Sequence, residues 1–143
     1  MRSALFLCMA VPATIVDLKR MRIPDLFSLG GLACLALFDA LLMPSRLPED
    51  CLAAALSFCI FSVIRFVTKG MGFGDLKFAA MSAGFTGLPR WFLAMAVAAA
   101  AAMRFYLAAE PVFKKGRALM IPFAPFISAG ALVALAAGLA AAE

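Results

Sequence analysis

Two acids stand at the edges of apolar stretches: Asp17, just ahead of "LKRMR", and Asp75, just after "GMGFG". Carboxylates inside such stretches are rare and costly, so each needs an account. Each lies about one helical turn, roughly 5 Å, inside the expected end of its segment. Threading the segments back and forth brings both to one level of one face. That spacing suits a water molecule held between two carboxylates. Like charges so close do not both ionise cheaply, so one of the pair keeps its proton. The ionised partner can then take a proton from the water while the other donates to a scissile carbonyl oxygen. Helix ends suggest the roles. Asp75 at a helix N-terminus reads as the base, and Asp17 near a C-terminus as the acid.

The remaining residue types narrow the chemistry further. The chain has no histidine, which excludes a serine–histidine triad, a cysteine–histidine dyad and an H-E-x-x-H zinc site. Cys8, Cys34, Cys51 and Cys59 form no C-x-x-C pair, so no metal site, cofactor or disulfide framework is expected. A serine–lysine protease would need the two side chains at one depth, and none stand out. A third acid, Asp39, sits near the far end of its segment. It reads as snorkelling to the surface, and Asp39→Asn is expected to matter little. Gly70, Gly72 and Gly74 remove side chains beside Asp75, where an extended substrate backbone would have to approach. Lys77 could balance charge nearby. G-x-G-D alone also suits a plain glycine-rich turn into a helix. The matching depth of Asp17 moves the reading toward catalysis.

Positioning these groups falls to a hydrophobic scaffold. Of the 143 residues, 66% are hydrophobic and 15% charged; one soluble core could not hide that much apolar surface, so the excess must face lipid. Six apolar segments are legible, roughly Met1–Arg20, Leu26–Met43, Cys51–Val67, Phe73–Leu88, Trp91–Ala109 and Leu119–Ala142. In lipid the backbone must satisfy itself, so the fold class is all-α: one domain over residues 1–143, a bundle of about six transmembrane helices. The first segment is read as a retained helix kinked at Pro12, because no convincing A-x-A cleavage site follows it. Runs such as "AVAAAAAM" and "SAGALVALAAGLAAA" predict close packing of the last two helices.

The net charge of +5 is read as topology and not as nucleic-acid affinity. With the N-terminus outside, the basic residues on the opposite face include Lys19, Arg20, Arg65, Lys77 and Arg104, and only Arg2, Arg46 and Arg90 stay outside. Basic residues collect on the cytoplasmic side, so both termini are expected outside and the two aspartates near the cytoplasmic face.

"GMGFGDLKF", the earlier "DLKRMRIPD" and the later "IPFAPFISAGAL" together resemble the prepilin peptidases, GxGD-type aspartyl membrane proteases of type IV pilin precursors. The resemblance covers nearly the whole chain. It implies catalytic roles for Asp17 and Asp75, and motif or substrate-binding roles for Gly72, Gly74, Lys77, Ile23 and Pro24. Its proline–aromatic–proline block falls on Pro122, Phe123 and Pro125. Asp25 departs from the family, in which many members have asparagine; an extra acid there could shift the pair's titration or simply be solvated. The cysteine-rich insert of larger members is absent, so the short form is similar to the Tad/Cpa-type enzymes that serve Flp-type pili. The resemblance implies prepilin or pseudopilin substrates in an inner membrane. Two other readings stand beside it: an archaeal preflagellin-type peptidase, and a non-catalytic scaffold or transporter subunit in which the acids bind a cation or proton.

Overall fold

The computed structural model of the chain describes residues 2–20, 23–68, 72–109 and 123–140. They form six α-helices: α1 (Arg2–Arg20), α2 (Asp25–Leu42), α3 (Leu47–Thr68), α4 (Phe73–Thr86), α5 (Leu88–Ala109) and α6 (Ala124–Ala140). The all-α expectation holds. Pro12 lies within α1, which continues through it. α3 begins earlier than its apolar run, because Pro48 is tolerated in a first turn and Glu49 and Asp50 suit a helix N-terminus. By length and composition, three stretches among the described residues are able to cross a membrane: Asp25–Leu42, Leu47–Val67 and Leu88–Leu107. Leu26, Leu41, Phe66 and Val67 among others point outward from them, a surface suited to lipid.

α4 is the hub. It packs on all five other helices, and every residue from Phe78 to Thr86 is buried. At 14 residues it is only about 21 Å long, too short to cross the roughly 30 Å hydrocarbon core. Gly87, at φ 75°, ends it, donating its N–H to Ala83 O at 2.8 Å. Phe78, Met81 and Phe85 carry its side of the core, where the Phe85 and Phe6 rings stand 5.5 Å apart. Trp91 of α5 meets Phe61 of α3 edge-on at 5.9 Å. The small-residue runs of α5 and α6 do bring the two backbones together: a Cβ on Gly130 would run into the Ala94 carbonyl.

α1 and α4 run in opposite directions, so the C-terminal end of one and the N-terminal end of the other share a level. Asp17 and Asp75 sit there. Arg2 and Gly84 sit at the other end.

Candidate active site

α1 delivers Asp17 into the bundle interior, where it is 4% exposed. Its Oδ2 accepts a hydrogen bond of 3.2 Å from the backbone N–H of Ala124, the first residue of α6. One turn back along α1, Thr14 Oγ1 and Ser128 Oγ lie 2.9 Å apart, so two contacts fix the register of α1 on α6. A proline at position 125 suits this start, since a first-turn N–H has no intrahelical acceptor.

α4 delivers Asp75 from its first turn, and local structure fixes its aim. Gly72 is the N-cap, with φ −70° and ψ 150° and no side chain to cap the helix. Asp75, three residues on, accepts a hydrogen bond from the Gly72 N–H. That is one half of a capping box, in which an acid at the third helical position reaches back to the cap. A Cβ on Gly72 would lie 3.2 Å from Asp75 Oδ2, so glycine here leaves the carboxylate its room. The Asp17 carboxylate lies close enough for its charge to act on Asp75. Among the described residues neither acid makes an ion pair. Between α3 and α4, at the same end of α4, lies a groove of about 390 Å3 walled by Phe66, Phe73 and Leu76; neither aspartate lines it. Arg65 stands over the Phe73 ring at 4.1 Å, a cation–π contact at its mouth.

The type IV leader peptidase family model matches residues 4–107, a span that holds both aspartates. The chain belongs to the type IV leader peptidase family. No curated protein and no solved structure matches it. Membership points to a membrane-bound peptidase, and the geometry of its carboxylates can be read in that light.

For this leader peptidase homologue, several sequence expectations change. The helix-end assignment of roles does not survive: Asp17 also meets a helix N-terminus, that of α6, so both acids face a helix start. Gly74 does not open a lane for substrate on its Cβ side. A Cβ there would lie 3.0 Å from Ile23 Cβ and 3.3 Å from its backbone N and O, so Gly74 lets the Ile23–Pro24 segment close over the start of α4. Ile23 is buried in the core, and Pro24 leads into α2 as its N-cap. Lys77 does not balance the central pair; its Nζ binds Asp25 Oδ1 at 2.7 Å, which also gives that departing acid its partner. Asp39 does not snorkel. It is fully buried, with Arg2 Nη1 3.5 Å from its Oδ1. Gly70 and Pro122 lie outside the described residues.

The amide of Ala124 is the functional group that residue-type reasoning missed. A backbone N–H carries no letter in the sequence, although "IPFAPF" marked the place.

Proposed function

We propose that this chain is a membrane aspartyl endopeptidase that removes the basic leader peptide from prepilins or pseudopilins of the Flp type. The observation that carries the reading is a pair of cross-helix carboxylates, each held by a helix-start amide and neither paired with a cation among the described residues. A structural acid pair in an apolar setting would be expected to recruit a counter-charge. Among the described residues this one has none.

In the proposed reaction one aspartate is ionised and the other protonated. The ionised carboxylate takes a proton from the water as its oxygen bonds to the scissile carbonyl carbon. The protonated partner gives its hydrogen to the carbonyl oxygen. Collapse of the tetrahedral diol breaks the C–N bond: the departing amine takes a proton from the acid that first received it, and the other carboxylate takes back the proton of the diol hydroxyl that becomes the new carbonyl. The 390 Å3 groove between α3 and α4 offers apolar walls to a substrate residue at this end of the bundle. Arg65 and Lys77 share this end with the aspartates, whereas Arg2, Arg46 and Arg90 all border one recess at the other. The larger basic group of the sequence marks the cytoplasmic side, so cleavage is assigned to the cytoplasmic face of the inner membrane.

Co-expression with a Flp-type prepilin tests the proposal. The wild-type chain should shorten the precursor on a gel, and Asp75→Asn should not. Cleavage persisting in Asp75→Asn protein would overturn the paired-acid mechanism. A prepilin with its leader lysines and arginines neutralised should escape cleavage if the leader is what the enzyme reads.

A further inference from the structure

At the Arg2 end two cavities both border Asp50. The first is a recess of about 490 Å3 over the end of α4, bordered by Arg2, Arg46, Glu49, Arg90, Phe85 and Leu135. It exists because α4 stops short while α1, α3 and α5 all begin here. The second is a groove of about 260 Å3 between α2 and α3. Its walls are apolar, Leu32, Leu35, Ala36 and Ala54, and it runs toward Asp39 and Asp50. Leu37, Leu41, Leu52 and Leu56 are exposed on the same two helices, so this flank suits the bilayer interior.

The charges around the recess differ in their freedom. Arg2 is committed: its Nη2 lies 2.5 Å from Asp50 Oδ2 and 3.2 Å from the Gly84 carbonyl. Arg46, Arg90 and Glu49 are exposed at the rim and make no ion pair among the described residues. Two available guanidiniums beside helix N-termini suit a phosphate. One available carboxylate suits an ammonium. An apolar groove adjoining them suits a hydrocarbon chain. Polar recess and lipid-side groove, on either side of Asp50, have the layout of an amphiphile, and both lie in the size range of small-molecule sites or just below it.

We propose that these neighbouring cavities together hold one glycerophospholipid whose headgroup carries both a phosphate and a primary ammonium. Arg46 and Arg90 bind the phosphate, Glu49 accepts hydrogen bonds from the ammonium, and one acyl chain lies between α2 and α3. A primary ammonium has three N–H donors for Glu49. A quaternary ammonium has none, and a glycerol headgroup has no charge for it. The site therefore distinguishes lipids by headgroup and does not merely attract anions.

The test uses the full chain reconstituted in vesicles of equal parts phosphatidylethanolamine, phosphatidylcholine and phosphatidylglycerol with matched acyl chains. Protein re-extracted in mild detergent is then read by native mass spectrometry for retained lipid. About one phosphatidylethanolamine per chain should remain, favoured roughly tenfold over the other two, the equivalent of about 1.4 kcal/mol. The double variant Arg46→Gln/Arg90→Gln should lower retention of all three lipids. Glu49→Gln should keep a bound lipid but erase the preference over phosphatidylglycerol. All three positions are exposed, so these variants leave the core intact. Equal retention of the three lipids by the wild-type chain, or retention unchanged in the double arginine variant, would overturn the proposal. Displacement by soluble glycerophosphoethanolamine as effective as by intact lipid would overturn the membrane source, since the groove would then contribute nothing.

Discussion

Asp17 with Asp75 near one end of the bundle, and Asp39 with Asp50 near the other, are both pairs of acids contributed by different helices. At the second pair, Arg2 reaches both carboxylates and also the Gly84 carbonyl, tying α1 to α2, α3 and α4 at a single guanidinium. At the first pair there is no such cation among the described residues; backbone amides at two helix starts hold the carboxylates. An arginine fixes a pair and offsets part of its charge, which suits a joint. Amides fix a carboxylate's position and leave it free to exchange a proton, which suits chemistry. Burial alone does not separate the two, since Asp17 and Asp39 are both buried. The neighbour does.

The largest expected effect breaks the chemical pair. Asp17→Ala should abolish leader cleavage, a loss of at least about a hundredfold if the acid acts in proton transfer, while membrane-extracted protein stays folded by thermal melting. If the folded fraction fell in step with cleavage, the contrast between the two ends would fail.

Next comes the joint. Arg2→Leu leaves Asp39 and Asp50 buried without their cation, and breaking a buried pair in this way costs about 3–5 kcal/mol. Folded yield should drop sharply, while cleavage per folded molecule stays near the wild-type value. Adding Asp39→Leu to Arg2→Leu should recover part of the yield, because one uncompensated charge is removed. Asp39→Asn, although nearly isosteric, should also lower the melting temperature, where a surface-solvated acid would leave it nearly unchanged.

The glycines give a finer test. Gly72→Ala brings a Cβ against the Asp75 carboxylate, and a displacement near 1 Å in a reacting group costs on the order of a hundredfold in rate. Its cleavage rate per folded molecule should fall. Gly74→Ala instead presses on Ile23, an overpacking that costs about 1–3 kcal/mol, and should lower the melting temperature. If Gly72→Ala affected only stability, the N-cap would serve the helix and not the carboxylate. Smallest of all is Asp25→Asn. That acid's side chain is 60% exposed, so losing its pair with Lys77 should cost under about 1 kcal/mol and barely move the melt.

Much of this was legible in the sequence. The apolar segments anticipate all six helices, and the depth of Asp17 and Asp75 anticipates their meeting, because helical rise converts chain position into height. What could not be read is what lies sideways. The fate of Asp39 depends on which helix faces it, and nothing in "ALFDALL" names Arg2 as its neighbour. The same holds for Gly74, whose meaning comes from Ile23 across a helix boundary. The family match ends at residue 107, so the amide of Ala124 comes from a helix outside that span. Height is written locally; lateral contact is not.

The brevity of α4 bears on how such a chain enters the membrane at all. A 14-residue helix carrying Asp75, Lys77, Ser82 and Thr86 does not figure among the stretches long and apolar enough to cross. Released alone from a translocating channel into lipid, it would expose those polar groups and fall short of one interface. Its stable place exists only once partners surround it. α3, the preceding helix and one able to insert by itself, packs on it directly, so α4 enters as a passenger of α3 and is sheathed as α5 and α6 arrive. If Asp17 and Asp75 act as proposed, their site is complete only once α6 supplies the Ala124 amide, so a half-inserted chain would have no means to cut its neighbours.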